Sequence, residues 1–368
     1  MYSRGYHPLI TNSPAGASIS IKRAYICFLR SKNKGIAGNR FEKWHAPLST
    51  ALRQAGFSQK LAEIDNAVIS YVHGPNNGTP LVLLPAQMGT WRTYEKVAPA
   101  LSTNFEVFAV DVPGHGSSSW LTGAYNWDSV GRYLGNFLEQ VVGRPAVIAG
   151  NSSGGIFALW LAAHRPASVA AIILEDAPVF SVEWPRFRDH DRFVYQGLVH
   201  AVEVLEKPDR RLAEYFRGQV LPVSPKRVKR MPDWVIDHLI DPGVRRFEQH
   251  HPNEPSGFQA WWAPRSFGDI FYSLSLFDPD FARAFVDGRF YGNFSYTEAL
   301  RKVTFPIMVM HANWLRLEDY GLIGALDDAD VQRITQLAPQ TVVRRFRANH
   351  VIHQYDRKGY IKAVLEYT

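Results

Sequence analysis

The chain has 368 residues, 46% hydrophobic and 20% charged, a balance that supports an ordinary globular core and excludes a disordered or fibrous chain. A single cysteine, Cys27, excludes an intrachain disulfide and any cysteine-rich metal site, and no run approaches the roughly 18 apolar residues of a membrane-spanning helix. The formal charge of +7 comes from residues 1–45, where eight basic residues face Glu42 alone, so the rest of the chain is balanced and nucleic acid is not an expected partner.

In chain order, residues 1–45 read as a basic N-terminal arm containing Gly, Ser and Asn, for which solvation is the plain expectation and contact with an anionic membrane surface the sharper one. The run Ala24 to Leu29 is shorter than the apolar centre of a secretory signal, and a soluble, cytoplasmic chain is expected. Phe41 to Ala55 reads as helix. Strands are then predicted at Ala67 to Val72, Leu81 to Leu84, Phe105 to Val110, Ala146 to Ala149, Ala170 to Leu174, Pro306 to Met310 and Thr341 to Phe346. Several are continuous apolar runs, as buried parallel strands are. Between them, Val130, Leu134, Phe137, Leu138 and Val141 repeat at helical spacing, Ile156 to Ala163 is apolar on nearly every side, and Arg357 to Glu366 reads as a terminal helix. This alternation predicts an α/β fold with a mostly parallel sheet flanked by helices.

From Pro178 to Val303 the alternation stops and aromatics crowd the chain, among them Trp184, Trp234, Trp261, Trp262, Phe271, Tyr272, Phe290 and Tyr291. This stretch reads as an insertion, 178–303, between the two parts of a core, 46–177 and 304–368. Most of its aromatics are expected to form its own core, with a minority lining a pocket.

The strongest local signal is Gly150-Asn151-Ser152-Ser153-Gly154-Gly155, set between a predicted strand and a buried helix. It satisfies G-x-S-x-G in the strand–turn–helix context that presents a serine hydroxyl on a tight turn at a helix N-terminus. A phosphate loop would carry lysine after the glycines, where Ile156 stands. A serine at its ordinary pKa needs a base, and the base an orienting group. Ala348-Asn349-His350-Val351-Ile352-His353 follows the last predicted strand, at the sheet edge where open α/β sheets build their sites, making His350 the candidate base and His353 a supporting residue. The remaining histidines lack metal-ligand spacing.

With these residues in place, the chain resembles the α/β-hydrolase-fold serine hydrolases that carry a mainly helical cap. Asp111-Val112-Pro113-Gly114-His115-Gly116-Ser117-Ser118 resembles the family turn D-x-P-G-x-G-x-S, and Pro306 to Met310 resembles the strand that follows the cap. The resemblance implies an oxyanion hole from the backbone N–H groups of Gln87 and Ser153, although Pro85-Ala86-Gln87-Met88-Gly89 replaces the usual His-Gly. It also implies an acid. Many relatives place it after the post-cap strand, where Leu315 stands here, with Glu318 and Asp319 nearby; others, including zearalenone-type lactonases, take it from the strand before the cap, which corresponds to Asp176. Asp176 is the preferred acid, with Glu318 and Asp319 as alternatives. Glu175 is a poorer choice because its side chain points to the other face of the strand.

The expected activity is hydrolysis of a hydrophobic carboxylic ester or lactone, with Ser152, His350 and Asp176 as triad and no metal or organic cofactor implied. The expected partner is a hydrophobic small-molecule substrate, and a homodimer is compatible with the sequence. Carbon–carbon bond hydrolysis, a cofactor-free haloperoxidase or acyltransferase activity, and a non-enzymatic ligand-binding role stay open as alternatives.

Overall fold

The computed structural model describes residues 39–224, 227–263 and 265–367. Its main sheet has eight strands: β1 (Ser58–Ile64), β2 (Ala67–His73), β3 (Thr79–Leu84), β4 (Phe105–Val110), β5 (Ala146–Asn151), β6 (Val169–Glu175), β7 (Ile307–His311) and β8 (Thr341–Arg345). Their spatial order is β1-β2-β4-β3-β5-β6-β7-β8; β1 and β2 run antiparallel to their neighbours and the remaining six are parallel. The predicted α/β fold, a mostly parallel sheet with helices on both faces, is the fold observed.

Alternation along the strands sorts the core into two layers. Val82 and Leu84 face one cluster with Val130, Leu134, Phe157 and Leu161, whereas Leu81 and Leu83 face the other with Trp91, Tyr94, Tyr360 and Val364. Helix α1 (Thr50–Gln54) is capped by Ser49, whose hydroxyl accepts the Leu52 N–H, and α2 (Trp127–Phe137) by Asn126, which accepts the Ser129 N–H at 2.7 Å. Helix α3 (Ser153–His164) is buried at every position from Ser153 to Ala162, as its unbroken apolar face requires. Each large apolar side chain on it contributes about 1.5–3 kcal/mol by leaving water.

Two sequence expectations need correction. The helix expected over Phe41 to Ala55 is a turn at 40–43 followed by the short α1, because Pro47 drives Ala46 out of the helical region. Strand β1 was not predicted at all; it is an edge strand of mixed exposure, paired on one side with β2. The arm expected over 1–45 lies outside the described residues up to 38, while Asn39 is buried and its amide donates to the carbonyls of Gly116 and Ser118 at 2.9 and 2.8 Å.

The stretch between β6 and β7 holds helices at Arg186–Asp189, Arg192–Leu205, Asp241–His250, Arg265–Ser275, Pro279–Val286 and Tyr296–Lys302, with a hairpin of Val220–Ser224 and Arg227–Arg230. Phe285 and Phe290 pack against Trp127 at the start of α2, which joins this stretch to the helical layer. Phe271 and Phe290 are fully buried, whereas Trp234, Trp261 and Trp262 are exposed. None of the helices among the described residues is long and apolar enough to cross a membrane.

Candidate active site

The chain after β3, β5, β6 and β8 turns at one edge of the sheet, where β3 lies between β4 and β5 and the strand order reverses. Ser152 sits at the end of β5 as the N-terminal cap of α3 with φ 55° and ψ −123°, a strained conformation for a residue with a side chain. The flanking glycines make that turn possible by close approach. A Cβ on Gly150 would lie 2.2 Å from the Gly154 carbonyl, and one on Gly154 would lie 2.2 Å from the Leu84 carbonyl oxygen. The Ser152 N–H donates to the Glu175 carbonyl at 3.0 Å, so the Ser152 turn is tied to the end of β6.

The Nδ1 of His350 is 2.7 Å from Oδ2 of Asp176. Asp176 is 1% exposed and also takes a left-handed backbone conformation, φ 42°, which turns its carboxylate off the line of β6 toward the β8 loop. Its Oδ1 accepts the Ala312 N–H at 3.3 Å. Desolvation at this site works against a charged imidazole. The bond to Asp176 and the negative charges of Asp176 and Glu175 outweigh it, so the His350 pKa is raised above its ordinary value. Glu318 and Asp319, the alternative acids, lie exposed on the turn of a short hairpin (Leu315–Leu317 and Gly321–Ile323) and contact neither His350 nor the cavity.

Ser152, Ser153, Gln87 and His350 line one cavity of about 800 Å³. Gln87 lies in a tight turn closed by the Gly89 N–H donating to the Ala86 carbonyl at 2.9 Å, with Met88 at φ 61°. The Ser153 N–H opens α3, where the helix dipole favours negative charge. The distal walls are apolar: Phe187, Leu198, Tyr215 and Phe285 from the 178–303 stretch, with Trp314 and Leu322 from the hairpin that follows β7. Of the eight aromatics singled out in that stretch by sequence, none lines the cavity. Asp191 is the one carboxylate on the wall among the described residues, and it is paired with Arg186 at 2.8 Å and Arg316 at 2.9 Å.

Three supporting residues carry weight that sequence reasoning did not assign. Asn151 donates from Nδ2 to the carbonyls of Glu175 and His350, at 3.2 and 2.9 Å. Glu175 bonds His353 instead of His350. Asp111, fully buried in the D-x-P-G turn, accepts the N–H groups of Trp91 and Ser117 at 2.8 and 3.1 Å. Asn151 had no signal beyond its place inside the serine motif.

A serine at a strand–helix turn, a carboxylate-bonded imidazole and one shared cavity meet at the carboxyl edge of this α/β sheet, an arrangement similar to a nucleophile elbow. A family model described as the alpha/beta hydrolase fold matches residues 79–202. The chain is 31% identical over 121 residues, 33% of its length, to the magnesium-chelatase 30 kDa subunit of Rhodobacter capsulatus, covering 42% of that protein. It is 33% identical over 111 residues, 29% of its length, to a pimeloyl-[acyl-carrier protein] methyl ester esterase of Legionella pneumophila, covering 43% of it. The chain thus spans about four tenths of the length of these curated relatives. The solved structure of a hydrolase from Pseudomonas aeruginosa superimposes with a TM-score of 0.59 at 19% identity, covering 84% of this chain and 98% of that one. The chain has the α/β-hydrolase fold, and its residues 79–202 match the model of that family.

Proposed function

We propose that this chain is a serine hydrolase that cleaves a neutral, hydrophobic carboxylic ester or lactone. The observation that carries the reading is the 2.7 Å contact of His350 Nδ1 with Asp176, beside the cavity that Ser152 and His350 both line. With Nδ1–H engaged by Asp176, Nε2 holds the lone pair that accepts the Ser152 proton as Oγ bonds to the substrate carbonyl carbon. The carbonyl electron pair moves to oxygen, held by the N–H groups of Gln87 and Ser153. Collapse expels the alkoxide, which takes the proton from Nε2, and water repeats the sequence to release the acid and restore Ser152. The likeness to a methyl ester esterase supports ester hydrolysis in general. The apolar walls favour a hydrophobic acyl or ring substrate, and the 178–303 stretch acts as the cap over it.

A fluorophosphonate probe should label wild-type protein and leave Ser152→Ala unlabelled. An ester and lactone panel read by mass spectrometry then separates one ring-opened product from two fragments. A folded Ser152→Ala that keeps most of its turnover would overturn the nucleophile assignment.

A further inference from the structure

Glu175 and His353 form a second carboxylate–imidazole pair behind the first. Glu175 is 0% exposed, and its carboxylate accepts both the His353 backbone N–H and Nδ1–H, at 2.8 to 2.9 Å. The His353 ring stacks on Tyr94 at 4.2 Å, meets Tyr360 edge-on at 5.7 Å, and places Nε2 2.7 Å from Thr93 Oγ1. Burying such a pair costs several kcal/mol per charge, and an apolar filling of equal volume is often as stable or more so, so core stability alone does not account for it.

The backbone beside the pair is tied to the proposed reacting groups. The Glu175 carbonyl receives the Ser152 N–H and the Asn151 amide, and that same amide donates to the His350 carbonyl. Only Val351 and Ile352 separate His353 from His350. Neither member of the pair lines the cavity.

We propose that Glu175 and His353 are positioning residues that hold the loop bearing His350 in register with the turn bearing Ser152. This rests on the reading of Ser152 and His350 as nucleophile and base. The pair touches no substrate, so its loss is felt in the chemical step while KM stays unchanged. Misplacement of a catalytic group by about 1 Å can cost 10²-fold.

The test uses the full chain and two readouts: the rate of fluorophosphonate labelling of Ser152, and kcat and KM for a chromogenic ester. The double variant Glu175→Leu/His353→Phe removes both partners without leaving a charge unpaired and fills the slot between Tyr94 and Tyr360. It should label and turn over about 10²-fold more slowly at unchanged KM. Glu175→Gln, which keeps an oxygen facing His353, should lose less. In a His350→Ala background the double variant should cost nothing further, because the pair acts through the base.

A folded double variant with wild-type labelling and kcat overturns the proposal. So does a loss that persists undiminished in the His350→Ala background. If the double variant does not fold, Glu175→Gln and Thr93→Val decide, and wild-type kcat in both overturns it. Failure of wild-type labelling, with turnover surviving in Ser152→Ala, is seen without touching the pair; it overturns the nucleophile reading and the pair's role falls with it.

Discussion

The backbone N–H of Ala312 donates to Oδ1 of Asp176 while His350 occupies Oδ2. Ala312 immediately follows β7, so the chain just past the strand after which many relatives carry their acid here supplies a hydrogen bond to the proposed acid just past β6. Asp176→Asn keeps the shape but removes the negative charge and the tautomer control, and should lower kcat by about 10⁴-fold. Glu318→Gln and Asp319→Asn should stay near wild type. Steady-state kinetics on the three variants checks this, and the reverse pattern would move the acid to the hairpin.

The raised pKa of His350 has a kinetic counterpart. Burial favours its neutral form, but Asp176 and Glu175 outweigh burial, so protonation disables the base from a pH above the ordinary value of about 6.5. The acid limb of kcat/KM should therefore lie above that value, and Asp176→Asn should move it to lower pH. A limb that does not move with this substitution belongs to another group.

Asp111 and His115 share one buried turn and titrate in opposite senses. Burial pushes Asp111 up to about 6 and His115 down to about 4. The stability from Asp111 is present below its unfolded value near 3.8 and lost as pH rises through 6; that from His115 is present above about 6.5 and lost as pH falls through 4. Between these limits the folded chain protonates Asp111 and the unfolded chain His115, so the slopes cancel. His115→Leu should expose the imbalance: relative to wild type it should lose about 3 kcal/mol as pH rises from about 4 to 6.5, measured by urea melts. A pH-independent difference would refute the pairing.

Among the described residues no lysine or arginine lines the cavity, and Asp191 is already matched by Arg186 and Arg316. A substrate carboxylate would give up water for a wall without a cation. An ester with a free carboxylate on its acyl chain should show kcat/KM lower than its methyl-capped analogue by about 10²-fold, a penalty near 3 kcal/mol. Equal values in a competition assay would count against a neutral substrate.

Much of this fold was legible because buried parallel strands announce themselves as apolar runs, and the serine turn because its glycines are required by backbone contact. β1 escaped notice because Ser58–Ile64 buries only its last residue fully and so carries little hydrophobic pattern. The separation of Glu175 from Asp176 follows from strand alternation, yet the match of each acid to its own histidine depends on how the loop after β8 crosses the sheet edge, which no local pattern encodes. A minority of the stretch's aromatics reach the cavity, as expected, but which ones do was not legible, for a related reason. Phe187, Phe193 and Phe285 reach it, whereas the Trp-rich part of the same stretch faces outward, and aromatic content alone does not report direction.

Only Ala177 separates Asp176 from Pro178, where the chain leaves the sheet, and the next residues are buried, with the Ser181 hydroxyl donating to the Ala325 carbonyl at 2.5 Å. A graft that exchanges the 178–303 stretch to change substrate range would therefore disturb Asp176 if its first junction were cut at the sheet. The cut belongs after Val182, leaving residues 176–182 with the recipient, while the return junction near Val303 adjoins none of the reacting groups and tolerates a freer choice.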